Sequence, residues 1–477
     1  MSLGPEAIRE RRRSAFGADL KAVLAERDFR KLFGTRLVSQ TGDGIITAAV
    51  GSYVFFNAST FPSPMAGAAA FAVLYLPYSL IGPFAGVLID RWSRRQILVW
   101  SAPIRGALVV VTAALMVADT RSAPLYIAVL AVSGVSRFLL SSFSAALPHV
   151  TPASKLVVSN AVSDTVGGMM SALGGIVALG LNAATGDTER GAAVTMLVGG
   201  GCYVAASVVA TIMPKGLLGP DEAHKRAVSV AADLAEVLSG LRAGAGYVLA
   251  RRAPRAALGA TSAFSLLFGP LFLMSVLLYR NYFYPGHVTV AESHVGTLAV
   301  ISAVGYVCAA LITPPATRHL SKRAWITLML VAAGVVAAVL GETFSQAAYL
   351  AIGFLMYLGR QSVAIATVTI LQEDIDDGFR GRVFAFYDML YNAAFAAGAA
   401  LFAVFMGADG KSPGVVAVVA AGFVVAAAAY WLAAGRSPAG EPPTGPSPGD
   451  SAPGDSAAAS GPLVRRSPSA DAQRSSS

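Results

Sequence analysis

The sequence predicts an all-α integral membrane protein with twelve transmembrane helices in two six-helix, pseudo-symmetric halves. Of its 477 residues, 55% are hydrophobic and only 13% are charged, whereas soluble proteins carry about 25% charged residues. Apolar stretches long enough to cross a hydrocarbon core of ~30 Å recur along the chain. Lysine and arginine are concentrated in alternate connecting loops, as expected of a multi-pass protein whose basic loops lie in the cytoplasm.

The predicted spans follow a basic N-terminal segment, residues 1–32, which is either an interfacial helix on the cytoplasmic leaflet or a solvated tail. Spans 1 to 12 cover residues 33–57, 66–89, 97–118, 124–147, 156–181, 192–213, 256–279, 294–316, 325–342, 345–371, 383–407 and 413–434. The alternation of basic and charge-poor loops places both termini in the cytoplasm. The predicted location is therefore the cell membrane.

Changes in composition divide the chain into domains. The first six spans form an N-terminal half over residues 33–213, and the last six form a C-terminal half over 256–434. Between them, the cytoplasmic loop 214–255 contains a stretch with helical spacing, Val228 to Val248, which we expect along the membrane surface. Residues 435–477 are rich in Pro, Ser, Gly and Ala, so we expect this cytoplasmic tail to be disordered.

The loop between spans 2 and 3 carries the most informative motif, Gly86-Val-Leu-Ile-Asp-Arg-Trp-Ser-Arg-Arg95. It resembles the signature loop of the major facilitator superfamily of secondary transporters, although Ser93 stands where that family usually has glycine. The resemblance implies a gate that locks the two halves together on the cytoplasmic side in the outward-facing state. The gate residues would be Asp90, Arg91, Arg94 and Arg95, and Gly86 would allow close helix approach.

An internal repeat supports the division into two halves. The stretch Asp90 to Arg95 is echoed by Arg318 to Arg323 after span 8, with Arg318 in place of the acid. Two further pairs occur in the same order, namely Arg137 in span 4 with Arg360 in span 10, and Asp164 in span 5 with Asp388 in span 11. Parallel repeats of this kind surround a site near the middle of the membrane.

Ionisable residues inside spans are functional candidates because burying a charge in the membrane is costly. The candidates for proton coupling or substrate contact are Asp43, Arg105, Arg137, Asp164, Arg360 and Asp388. Asp43 is interpreted as a protonatable carboxylate, and Phe268 occupies its place in the second half. The alternative is a purely structural ion pair, Asp43–Arg137 or Asp164–Arg105. Arg36 and Arg280 are expected to reach the membrane surface.

Span 5 carries small residues at a spacing of four: Ser163, Gly167, Ser171 and Gly175. This pattern predicts close helix packing. It is also similar to a degenerate form of the glycine-rich motif that exporters of the superfamily carry on this helix.

Several strings resemble the branch that includes enterobactin exporters and macrolide-efflux permeases, among the drug:proton antiporters. They include Arg27-Asp-Phe-Arg-Lys-Leu-Phe, Ser39-Gln-Thr-Gly-Asp43, Ser144-Ala-Ala-Leu-Pro148 and Arg380-Gly-Arg-Val383. The resemblance implies proton-coupled efflux of amphipathic small molecules such as drugs, macrolides, siderophores or other secondary metabolites. An uptake symporter of the same fold and a non-transporting membrane scaffold or regulator remain alternatives.

The expected partners are a small-molecule substrate, protons and the lipid bilayer. Nucleic acid is excluded because the net charge of +9 is distributed over short loops and forms no single basic face. The five histidines fall in loops or at span ends, so we expect no intramembrane metal site, no cofactor and no enzymatic activity. We expect a monomer.

Overall fold

The computed structural model describes residues 21–56, 64–69, 71–72, 93–118, 123–152, 155–185, 189–214, 216–218 and 230–435. Its helices are α1 Arg27–Phe56, α2 Arg94–Val117, α3 Ala123–Ala146, α4 Leu156–Thr185, α5 Glu189–Thr211, α6 Val230–Ala250, α7 Arg252–Leu277, α8 Val288–His319, α9 Lys322–Gly341, α10 Gln346–Asp374, α11 Asp377–Ala403 and α12 Pro413–Ala433. A 3-10 turn, Leu147–His149, follows α3, and a π-helical turn, Leu278–Phe283, continues α7.

Helices α1 to α5 correspond to predicted spans 1, 3, 4, 5 and 6, and α7 to α12 correspond to spans 7 to 12. Most of span 2, the tail from residue 436 and the segment 1–20 lie outside the described residues. Within the described ranges, nine helices are long and apolar enough to cross a membrane, and no strand occurs. The all-α membrane architecture is therefore confirmed.

Helix ends extend beyond the predicted span boundaries. The first helix begins at Arg27, six residues before the predicted boundary at 33, and α7 begins at Arg252 instead of residue 256. The difference has a simple cause, because apolar run length marks only the part of a helix that hydrocarbon surrounds. Charged residues continue the same helix into the polar interface.

In the first half, α1 and α4 cross with their backbones in contact. A Cβ atom added at Gly44 would lie 1.8 Å from the carbonyl oxygen of Ser171, and one added at Gly174 would lie 2.1 Å from that of Thr41. Real Cβ atoms do not approach backbone so closely, so both positions require glycine. This crossing fixes how the two helices are rotated toward each other.

The second half repeats this crossing between α7 and α11. A Cβ atom at Gly269 would lie 2.3 Å from the carbonyl oxygen of Phe395, and one at Gly398 would lie 1.8 Å from that of Leu266. These four positions are the repeat counterparts of the four positions in α1 and α4. The predicted pseudo-symmetry of the two halves is thus visible in backbone packing.

Three of the four small residues of the predicted span 5 pattern lie on the packed side of α4. Ser163 is buried, Gly167 lies against the Gln40 side chain, and Ser171 contacts Gly44 through its carbonyl. Gly175 has open space around its Cβ direction, so the prediction is wrong there, and Gly174 makes the close approach instead. Successive helical residues point about 100° apart, so the strict four-residue spacing drifts off the contact face.

The predicted helical stretch in the central loop is α6, which packs on the second half. The Tyr247 ring stacks on Phe379 with centroids 4.4 Å apart, and the Tyr247 hydroxyl donates to Asp376 Oδ2 at 2.5 Å. The Arg251 guanidinium lies 3.5 Å from the centre of the Tyr247 ring. The connecting helix is therefore attached to the beginning of α11.

Candidate functional site

A cavity of about 670 Å³ lies between the two halves. Helices α1, α3 and α4 form one side, α7 and α8 form the other, and Phe71 contributes from the segment between α1 and α2. The wall is mainly apolar, with small residues of α8 such as Ala299 and Ala303 prominent in it. Among the described lining residues, Glu292 alone carries a charge. Such a wall suits an apolar or amphipathic molecule.

Asp43 and Arg105 form a buried ion pair next to this cavity. The Arg105 Nη2 group donates to Asp43 Oδ1 at 2.5 Å, and its Nη1 group donates to Ser39 Oγ at 2.9 Å. The Tyr203 hydroxyl donates to the same Asp43 oxygen at 2.7 Å, and the Arg105 guanidinium lies 3.2 Å from the centre of the Tyr203 ring. Thr47, one helical turn after Asp43, lines the cavity.

The two partners of this pair differ in accessibility. The Arg105 side chain is 1% exposed, whereas that of Asp43 is 19% exposed. An arginine keeps its charge under all ordinary conditions, while a carboxylate can take up a proton. Asp43 is therefore the more accessible member of the pair.

A second ion pair joins Arg36 to Asp164, with Nη2 and Oδ1 2.5 Å apart. The Arg36 Nε group also donates to Gln40 Oε1 at 3.2 Å. The predicted pairings Asp43–Arg137 and Asp164–Arg105 are thus wrong. The expected surface position of Arg36 is also wrong because its neighbours in the bundle bury it, and Arg280 is likewise buried.

Electrostatic contacts between the halves involve the two acids that the repeat relates. Asp388 on α11 interacts with Arg137 on α3 and with Asp164 on α4. The Asp164 side chain is 67% exposed, so solvent or a ligand can reach it. The repeat-related charges therefore interact across the boundary between the halves.

Arg360 on α10 has an aromatic environment. Its guanidinium carbon lies 4.0 Å from the ring centre of Tyr391, 5.3 Å from that of Phe395 and 5.7 Å from that of Phe268. Phe268 therefore replaces the acid found at Asp43 with a ring that packs near this arginine.

Glu292 is a functional candidate that the sequence reasoning missed. It is buried, and its Oε1 atom accepts from Asn182 Nδ2 at 3.2 Å, while Asn182 Oδ1 accepts from Thr195 Oγ1 at 2.7 Å. This chain of polar groups joins α8 to α4 and α5 across the halves. The predicted span began at residue 294 and left Glu292 in a loop, whereas α8 begins at Val288.

Two arginines of the predicted gate loop contact the first half itself. Arg95 donates to the carbonyl oxygens of Met213 and Thr211 at 2.6 and 2.9 Å. Arg94 lies 2.6 Å from His149 Nε2 and donates to the Leu218 carbonyl oxygen at 3.2 Å. Arg95 thus satisfies carbonyls at the end of α5, and Arg94 binds the segment that follows it. Gly86, Asp90 and Arg91 lie outside the described residues, and the expected latch between halves stays a prediction.

The second copy of the loop has the same local contact. Arg323 donates to the Trp431 carbonyl oxygen near the end of α12, and its guanidinium lies 4.0 Å from the centre of the Trp431 ring. The last arginine of each loop thus holds the sixth helix of its own half.

Within the part of the chain that the structure describes, no group of three His, Cys, Asp or Glu residues could hold a metal ion.

Comparison with known proteins decides the family. Residues 4–149 match the family model described as MFS/sugar transport protein. An uncharacterized MFS-type transporter of Mycobacterium tuberculosis is 33% identical over 414 residues, which is 85% of this chain and 92% of the relative. An uncharacterized MFS-type transporter of Mycobacterium bovis has the same identity and coverage. The chain belongs to the major facilitator superfamily.

Solved structures show the major facilitator fold. The nucleoside transporter NupG has a TM-score of 0.61 at 15% identity, covering 85% of this chain and 99% of NupG. A POT peptide transporter has a TM-score of 0.63 at 15% identity and covers 85% of this chain and 94% of its own. A bacterial homologue of the lysosomal transporter Spinster, inward-facing and unoccupied, has a TM-score of 0.59 at 14% identity, with coverage of 86% and 97%. The superfamily predicted from the signature loop is thus confirmed for this multi-pass membrane protein.

Proposed function

We propose that this protein is a proton-coupled exporter of amphipathic small molecules that works by alternating access in the cell membrane. One observation carries the proposal. The Asp43–Arg105 pair lies one helical turn from a mainly apolar cavity between the two halves. The site thus combines a carboxylate that can change charge with room for an apolar body.

The coupling follows from the geometry of the pair. When Asp43 takes up a proton, its attraction to Arg105 weakens while the arginine stays positive. The pair is buried, so the change acts in a medium of low dielectric constant, where it has a larger effect than in water. Substrate and proton can then stabilise different arrangements of the two halves, and exchange of one for the other follows.

The remaining intramembrane charges support the same interpretation. Asp388 interacts with Asp164 and with Arg137 across the halves, so the energies of these charges change when the halves move. These groups are proposed to adjust the balance between the two conformations.

The contacts between halves indicate which end of the cavity is closed. The Asn182–Glu292 hydrogen bond lies at the end where α4 finishes and α8 begins, and a Cβ atom at Gly296 would lie 2.8 Å from Leu179. Both termini are proposed to lie in the cytoplasm, and this end is accordingly proposed to face outward. We therefore assign an inward-facing arrangement, and the gate loop with Asp90 and Arg91 would close the opposite side after the halves rotate.

Vesicle transport tests the proposal. A resistance screen of an expressing strain against antibiotics and dyes supplies a substrate, which is then followed in inverted membrane vesicles with an acidic lumen. The wild-type protein should accumulate substrate in the lumen. Asp43→Asn should abolish accumulation driven by the proton gradient but retain substrate exchange without a gradient. Glu373→Gln is the matched control because Glu373 forms an exposed ion pair with Lys322.

Three results would contradict parts of the proposal. Normal gradient-driven accumulation by Asp43→Asn at normal protein levels refutes the coupling role. Accumulation in right-side-out vesicles under an inward proton gradient, with none in inverted vesicles, indicates an uptake symporter. Absence of transport for every compound in both orientations favours a scaffold or regulator.

A further inference from the structure

Arg360 differs from Arg36 and Arg105 in what compensates its charge. Arg36 and Arg105 each contact a carboxylate at 2.5 Å. Arg360 has no ion pair in the part of the chain that the structure describes. Its Nε atom is buried without a hydrogen-bond partner. A cation so placed lacks the counter-charge that normally offsets its removal from water.

Aromatic rings surround this cation. The rings of Tyr391, Phe395 and Phe268 have centres 4.0 to 5.7 Å from its guanidinium carbon. Such contacts hold the guanidinium plane in place, and each supplies about 0.5–2 kcal/mol. A planar, fixed guanidinium presents paired donors that match the two oxygens of a carboxylate.

The aromatic cluster continues to the wall of the cavity. Phe272 lines the cavity, and its ring centre lies 6.0 Å from that of Phe268 and 5.8 Å from that of Phe395. Tyr306 provides a second connection, since it interacts electrostatically with Arg360 and is 48% exposed. The aromatic cluster thus joins the cavity wall at Phe272 to the rings that contact Arg360.

We propose that Arg360 binds the carboxylate of an amphipathic substrate whose apolar body occupies the cavity. This inference rests on the proposed function and specifies its substrate class as amphipathic monoanions. The ligand supplies the missing counter-charge, and the aromatic rings hold both the arginine and the adjoining apolar part. Arg360 is thus a specificity-determining residue that favours acids over neutral or cationic molecules of the same shape.

Binding of three matched probes to the purified full-length protein tests this assignment. Pyrene-1-butyrate, pyrene-1-butanol and pyrene-1-butylamine share an apolar body and differ in charge, and their fluorescence reports binding against a detergent-only blank. The wild-type protein should bind the butyrate about tenfold to a hundredfold more tightly than the alcohol, as expected for hydrogen bonds to a charged group. Arg360→Gln should remove this preference and leave alcohol binding unchanged, which also shows that the cavity is intact.

Two further variants make the result specific. Arg360→Lys should keep part of the preference, because it retains the charge but loses the paired donors. Arg318→Gln removes the same charge from an exposed helix end and should keep the full preference. The assignment is overturned if the wild-type protein binds none of the probes, or binds the butyrate no more tightly than the alcohol. It is also overturned if Arg360→Gln keeps the preference for the butyrate, or if Arg318→Gln loses that preference to the same extent as Arg360→Gln. The binding assay uses no proton gradient, so its result does not depend on proton coupling. In the vesicle assay, export restricted to neutral or cationic compounds would refute this inference without contradicting the proposed function.

Discussion

Replacing Asp43 and replacing Arg105 should have unequal effects on stability. In Asp43→Asn the guanidinium stays charged at 1% exposure without its acid, and removing one partner of a buried pair costs about 3–5 kcal/mol. The hydrogen bond to Ser39 and the stacking on Tyr203 remain, each contributing about 1 kcal/mol. The wild type makes these two contacts as well, so the expected loss in the free energy of unfolding stays at about 3–5 kcal/mol.

Arg105→Met should cost less, because the aspartate left behind can take up a proton whereas an arginine cannot give one up. The double variant leaves no unpaired charge at this site, so it should recover most of the loss caused by Asp43→Asn. The measurement is the free energy of unfolding of the purified protein in mixed detergent–lipid micelles, for the wild type and all three variants. The reasoning is refuted if Arg105→Met is the more damaging single change, or if the double variant is no more stable than Asp43→Asn.

Two other predictions concern packing. Gly44→Ala should destabilise the protein by about 1–3 kcal/mol, since its Cβ atom would lie 1.8 Å from the backbone of α4. Gly34→Ala is the control: a Cβ atom there has nothing within 4 Å, so the change should stabilise α1 by up to about 1 kcal/mol. Thermal unfolding that ranks the two variants in the opposite order would contradict the close crossing of α1 and α4. Tyr247→Phe keeps the stacked ring but loses the hydrogen bond to Asp376, so hydrogen exchange in α6 should accelerate about fivefold. Unchanged exchange would show that this bond does not hold α6.

Apolar run length and loop charge were sufficient to predict nine membrane-crossing helices in the part of the chain that the structure describes. Both signals depend only on what hydrocarbon and the translocation machinery tolerate, and the neighbours of a helix do not affect them. Helix ends such as Arg27 were less predictable because nothing in composition marks where a helix stops after it leaves the hydrocarbon. The signature loop predicted the family, and the internal repeat predicted the relation between the two halves.

The partners of the buried charges were not predictable from the sequence. The position of Asp43 along the predicted span determines its depth in the bundle. The partner of its carboxylate depends instead on the rotation of α1 about the helix axis. That rotation is set by the contact between Gly44 and α4, and contacts between helices cannot be read from one helix alone. The pairing of Asp43 with Arg105 and the burial of Glu292 both depend on such contacts.

The glycine crossings also limit the ways in which this protein can change its selectivity. Backbone touches backbone at Gly44 and at Gly269, so neither helix pair can shift to enlarge or narrow the cavity. A change of cargo must then come from side chains on the wall, where α8 offers the small residues Ala299 and Ala303. The positions that fix the fold are thereby separate from the positions on the cavity wall.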